Sequence, residues 1–218
     1  MSLCAVVPVK EVRSAKRRLS AVLSADERAK LALLMLADVL HALTECSEVS
    51  GVYVVSRDRY VKKLAAGYGC KVIDDEGYGL SASVQKAISM CFEREFSRVL
   101  VVHSDLPLLS PKEVLEVAGY GGDLVLAPSK NLGTTGVLIR YGSGFTPLYG
   151  ELSFARNVML AASLGLDFRA YYSVGFLLDL DLPQDILYVV RSGVQSEARR
   201  YLEEIGAESR VLSKLVST

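Results

Sequence analysis

Short runs of almost unbroken apolar residues alternate along this chain with longer stretches whose apolar positions recur every three or four residues. The runs CAVVPV, VLVVH and LVLA offer no polar face, as expected of strands covered by helices on both sides. Strands are expected over 3–9, 51–56, 71–73, 98–103, 123–127 and 136–140, with further ones over 168–173 and 175–180. The longest helix opens at Ser24, with Glu27 three residues on to close a capping box. It carries two apolar stripes, one through Leu31, Leu34, Met35, Val39 and Ala42, the other through Leu33, Leu36, Leu40 and Leu43. A helix apolar on two sides is covered on two sides, by its own chain or by a second subunit. Other helices are expected over 57–66, 80–95, 111–118, 153–163, 183–190 and 196–204. The alternation predicts a single α/β domain over 1–218, a three-layer α/β/α sandwich around a mixed, mostly parallel sheet, with a helical extension from about 191 to 218. The segment GSGFTPLYG (142–150) is the most irregular and is a candidate lid or binding loop.

Composition narrows the function. The 25 basic and 25 acidic residues cancel, whereas a binder of long nucleic acid carries a basic surplus. Any phosphate ligand is therefore expected to be small and locally held. Cys4, Cys46, Cys70 and Cys91 form no CxxC pair and sit in or beside apolar runs, where a free thiol behaves as a small buried hydrophobe. With His41 and His103 the only imidazoles, zinc is not expected. The opening MSLCAVVPVKEVR is too briefly apolar for a signal peptide or a membrane span, so a cytoplasmic protein without membrane contact is expected.

Ligands of open α/β sheets gather at the carboxyl ends of the strands. After strand one come Pro8, Val9 and Lys10, then Arg13, Lys16, Arg17 and Arg18, a cationic set suited to a triphosphate or a phosphorylated acid. The loop has no glycine and so is not a P-loop; a solvated basic loop is the plain alternative. Asp105 follows the run VLVVH, where a carboxylate can bind a hard cation through oxygen or can cap the turn before Leu106-Pro107. Asp179 and Asp181 are two apart on an extended segment and share a face, so a cation or arginine is expected between them. With Asp105 they would make a three-carboxylate Mg²⁺ site; the alternative for Asp181 is a helix N-cap before Pro183. The segments EGYGLSAS (76–83) and GTTG (133–136) offer hydroxyls and close backbone approach, or are ordinary turns. His103, among apolar neighbours, reads as a buried histidine rather than a base.

Taken in order, PVKEVRSAKRRL (8–19), SADERAKLALLMLADVL (24–40), YGLSASV (78–84), VLVVHSDLPLLSP (99–111), GTTG (133–136), YGELSFARN (149–157) and LDLDLPQDI (178–186) resemble the 2-phospho-L-lactate guanylyltransferases of coenzyme F420 biosynthesis, which have a glycosyltransferase-A-like nucleotidyltransferase fold. The resemblance implies transfer of GMP from GTP to 2-phospho-L-lactate, giving lactyl-2-diphospho-5′-guanosine and pyrophosphate, with Mg²⁺ as cofactor and a homodimer as the assembly. It implies that Asp105, Asp179 and Asp181 hold metal, and that Lys10, Lys16 and Arg18 hold phosphates, with Lys10, Lys16 and Asp105 the catalytic set. Pro8, Val9, Gly79, Leu80 and Ser81 would lie near the nucleotide, and Lys16, Thr134, Gly150 and Ser153 near the acid. The chain departs from the family pattern at Thr135, where Asn is usual, at Gly150-Glu151-Leu152-Ser153, where G-P-G-S is usual, and at Asn157, where His is usual. These departures fall in the acceptor pocket, and relatives use phosphoenolpyruvate or 3-phosphoglycerate. Transferases for sugar phosphates or molybdopterin carry a glycine-rich loop after strand one, and glycosyltransferases a D-x-D pair where this chain reads Asp105-Leu106-Pro107. A non-catalytic nucleotide-binding module is the remaining alternative.

Overall fold

The computed structural model describes residues 2–75 and 79–216, with the side chain of Leu80 left aside. Among these residues the strands are β1 (Leu3–Pro8), β2 (Val49–Val55), β3 (Lys71–Ile73), β4 (Arg98–Val102), β5 (Leu124–Pro128), β6 (Thr134–Arg140) and β7 (Phe168–Ala170). They form one sheet in the order β3-β2-β1-β4-β6-β5-β7. All run parallel except β6, which is antiparallel to both β4 and β5.

The apolar runs alternate between two cores because successive side chains point to opposite faces. Leu3, Ala5, Val7, Leu100 and Val102 pack on one face with helices α1 (Ala25–Thr44), α2 (Arg59–Gly67) and α4 (Pro111–Ala118). Cys4, Val6, Val99 and Val101 pack on the other with α3 (Leu80–Glu93) and α5 (Ser153–Ser163). All four cysteines are buried and free.

The capping box at Ser24 and Glu27 is present. The two stripes of α1 have two intramolecular covers. Leu36, Val39, Leu40 and Leu43 face the sheet, while Leu31 and Met35 pack against the C-terminal helices α7 (Pro183–Arg191), α8 (Glu197–Glu204) and α9 (Ala207–Val216). The C-terminal extension thus belongs to the same domain. Asp38 on α1 fastens it, accepting from the backbone N–H of Glu197 at 2.7 Å and of Ala198 at 3.0 Å.

One expected strand is absent. The start of the 175–180 run instead belongs to a single helical turn, α6 (Val174–Leu177), which the Ser173 hydroxyl caps by accepting from Phe176 N. Gly175 permits this packing: a Cβ there would stand 2.2 Å from the Glu113 carboxylate, which accepts from Gly175 N at 2.9 Å. The basic segment after β1, read from sequence as a loop, forms two 3-10 turns, Val12–Ser14 and Arg17–Ala21. No helix among the described residues is long and apolar enough to cross a membrane.

Candidate active site

The carboxyl end of β1 opens into two adjoining cavities of about 230 and 320 Å³, which share Pro8, Val9, Lys10, Glu11 and Ser14. The smaller continues to Arg57, Asp75, Gly79 and Ser83. The larger continues to Lys16, His103, Ser104, Asp105 and Asp181. The floor is fixed by backbone pairing, since Val9 N donates to Val55 O and Val12 N donates to the Asp58 carboxylate that also caps α2.

Lys16 is the centre of the larger cavity. Its side chain is 8% exposed, and its ammonium donates to Asp105 Oδ2 at 2.6 Å and to Asp181 Oδ1 at 2.7 Å. Its backbone is left-handed, with φ 53° and ψ 39°, at the start of the second 3-10 turn. Burial alone would lower the Lys16 pKa, but Asp105 and Asp181 outweigh it and raise it above the ordinary value. Burial works to raise the Asp105 carboxyl; Lys16, then His103, overcome this and hold it below its ordinary value. Arg18 is 70% exposed and reaches Asp181 Oδ2 only at 3.9 Å.

The three predicted acids divide between two lysines. Asp179 pairs not with Lys16 but with Lys130, whose ammonium lies 3.2 Å from Asp179 Oδ1 and 2.9 Å from Asp185 Oδ2. Burial pushes the Asp179 carboxyl up to about 6, opposed by Lys130 and reinforced by the charges of Asp105 and Asp181. Asp181 is not the N-cap of α7: Leu182 holds that position, and Asp185 accepts from Asp181 N at 2.8 Å and Leu182 N at 2.7 Å. Among the described residues no group of three or more His, Cys, Asp or Glu is spaced to hold a metal. Magnesium, however, commonly takes only one or two carboxylates beside waters and substrate phosphates. Asp105 Oδ1 is buried without a hydrogen-bond partner, and Asp181 offers a second carboxylate across Lys16, so these donors fit such an ion.

Beside the smaller cavity, Gly79 is the N-cap of α3 with φ 96°, a conformation that favours glycine. Ser83 donates to Asp75 Oδ1 at 2.5 Å within the smaller cavity, whereas Ser81 is exposed and lines neither. Glu76, Gly77 and Tyr78 of the EGYGLSAS segment lie outside the described residues. Thr134, Gly150 and Ser153 come together, but with one another rather than along either cavity wall. Thr134 Oγ1 and Ser153 Oγ are 3.1 Å apart, Asn157 Nδ2 donates to Thr134 Oγ1 at 3.0 Å, and Ser153 N donates to Gly150 O. Thr135, the position where Asn is usual, is buried and donates to Phe176 O at 2.7 Å. His103 is half-buried rather than buried, its ring centroid 5.7 Å from that of Tyr149, and desolvation holds its pKa below the ordinary imidazole value.

Sequence reasoning missed Lys130, Arg57 and Asp75. Lys130 stands 49 and 55 residues from its acidic partners, so no local pattern announces the pairing.

The sheet order with its single antiparallel strand, and a cleft over β1 and β4 lined by paired lysines and carboxylates, accompany the fold of the α/β nucleotidyltransferases, the class to which this enzyme belongs. The family model described as "Guanylyl transferase CofC like" matches residues 3–214, and the chain belongs to that family. It is 33% identical to the 2-phospho-L-lactate guanylyltransferase of Methanothermobacter thermautotrophicus over 94% of this chain and 92% of that protein. It is 37% identical to the phosphoenolpyruvate guanylyltransferase of Rubrobacter xylanophilus, over 92% of this chain and all (100%) of that protein. In fold it is similar to a nucleotide-diphospho-sugar transferase structure from Desulfovibrio desulfuricans G20, with TM-score 0.83 at 18% identity over 98% of both chains.

Proposed function

We propose that this chain transfers GMP from GTP to a small phosphorylated three-carbon acid, 2-phospho-L-lactate or phosphoenolpyruvate, as a step of coenzyme F420 biosynthesis. One observation carries the reading: a lysine whose ammonium is enclosed between Asp105, which follows β4, and Asp181, inside a chain of the guanylyl transferase family. A phosphate oxygen of the acid attacks the α-phosphorus of GTP. A new P–O–P linkage forms, the α–β bridge breaks, and pyrophosphate leaves. The acid's phosphate is already anionic, so no general base is needed, and His103 is not asked to be one.

Catalysis then rests on positioning and on neutralising charge. Lys10, at the junction of the two cavities, meets the triphosphate, and Lys16 holds phosphate oxygens between nucleotide and acid. The smaller cavity, from Pro8 and Val9 to Gly79 and Ser83, takes the guanosine. Asp105 with Asp181, and Asp179 beside them, would hold Mg²⁺, which would supply positive charge to the transferring phosphate. Thr134, Gly150 and Ser153 shape the acceptor end through their shared network with Asn157. The active unit is a homodimer in the cytoplasm, with no nucleic-acid partner.

The test is pyrophosphate release with each of the four nucleoside triphosphates against 2-phospho-L-lactate, phosphoenolpyruvate and 3-phosphoglycerate. Release with GTP and one of the first two acids is expected. Release with another triphosphate alone would overturn the guanylyl assignment, and release with 3-phosphoglycerate alone would overturn the acceptor.

A further inference from the structure

We propose that Lys130 is a positioning residue of this reaction: it holds the Asp179–Asp185 turn so that Asp179 and Asp181 face Asp105. The inference rests on the metal-assisted transfer proposed above.

Lys130 lies in the loop between β5 and β6, on the far side of β4 from Lys16 in strand order. Both ends of the residue are tied to the acidic segment. Its backbone N donates to Leu177 O at 2.9 Å. Its ammonium donates to the carbonyl of Asp179, to Asp179 Oδ1 at 3.2 Å and to Asp185 Oδ2 at 2.9 Å. That uses all three ammonium donors on one turn of chain.

Asp185 passes the constraint on. It is 1% exposed, and the oxygen that meets Lys130 also accepts from the backbone N–H of Asp181 and Leu182. The backbone of Asp181 is therefore gripped by a carboxylate that Lys130 neutralises, while its side chain reaches Lys16 and through it Asp105. Leu180 N donates to Asp105 O at 3.1 Å, which docks the same turn on the loop after β4. Lys16 thus stands between Asp105 and Asp181, and Lys130 between Asp179 and Asp185. Stability alone does not account for this arrangement, because a buried ion pair seldom stabilises more than an apolar pair of the same size.

The experiment compares the full chain with Lys130→Met, Lys130→Arg and the double variant Lys130→Met/Asp185→Asn. Lys130→Met alone leaves a buried carboxylate unpaired and can fail to fold. The double variant removes that charge, yet the side-chain amide oxygen it introduces can still accept from the Asp181 and Leu182 backbone N–H groups. Three quantities are read: the thermal midpoint, Mn²⁺ binding in the presence of a non-hydrolysable GTP analogue, and kcat against KM for GTP. The double variant is expected to melt near the parent, bind Mn²⁺ about 10–100-fold more weakly and lose kcat by a similar factor with KM for GTP little changed. Lys130→Arg is expected to recover part of both losses. A folded double variant that binds Mn²⁺ and turns over like the parent would overturn the proposal, as would a parent that binds no Mn²⁺. A parent that binds Mn²⁺ but transfers no GMP would instead overturn the reaction assigned to the cleft, leaving the Mn²⁺ comparison to decide the role of Lys130.

Discussion

Lys16 joins conformational strain to charge at one residue. A non-glycine residue in the left-handed region costs on the order of 1–3 kcal/mol and persists only where its surroundings hold it. Here the holders are Asp105 and Asp181, whose carboxylates have the ammonium between them. In Lys16→Met those two carboxylates would face each other without compensation. Turnover is expected to fall about a hundredfold or more, in line with loss of one preorganised charge donor. The same variant should gain more thermal stability from added Mg²⁺ than the parent does, because a divalent ion would relieve the exposed repulsion. Equal Mg²⁺ shifts in the two proteins would contradict that view of the Lys16 pocket. At this scale the sequence placed Lys16 and Asp105 after β1 and β4, where the structure brings them together with Asp181. It was not readable at Lys130 and Asp185, whose roles depend on pairing between distant segments.

Elements carry two further lessons. The run 175–180 was apolar enough for a strand, and short apolar runs do not distinguish strand from helix by periodicity. The Ser173 cap and the Glu113 carboxylate against Gly175 decided for a helical turn, and only the first of these is local in sequence. The double stripe on α1, by contrast, foretold two covers, and the second proved to be α8 and its neighbours. Their attachment has a pH dependence of its own. Asp38 faces His41 on its own helix, Glu197 on α8 and the Tyr68 hydroxyl, and burial pushes its carboxyl from an ordinary 3.8 to about 6. The folded state therefore holds this proton more tightly than the unfolded chain, and the group's contribution to stability falls as pH rises through that window. Asp38→Asn removes the titration. Urea unfolding from pH 4 to pH 7 should show the parent losing up to about 3 kcal/mol relative to the variant. A constant difference across that range would show that Asp38 does not titrate as described.

The whole molecule was the most legible scale. Buried parallel strands announce themselves as unbroken apolar runs, and the alternation with capped helices left few topologies open. The place of the antiparallel β6 between β4 and β5 had no such signal, because strand direction depends on the loops rather than on the strand's own residues. The end proposed for the acceptor was the least legible. Thr134 and Ser153 are occupied with each other and with Asn157, so their residue types alone do not name the acid that the cleft receives. Placing guanylyl transfer in the cleft over β1 and β4 makes Asp105 the residue on which the account turns. The most direct measurement is GTP-dependent pyrophosphate release by Asp105→Asn at saturating Mg²⁺, in a preparation whose thermal unfolding remains cooperative. A loss of at least about a hundredfold in kcat is expected. Near-parental turnover in that folded variant would contradict it.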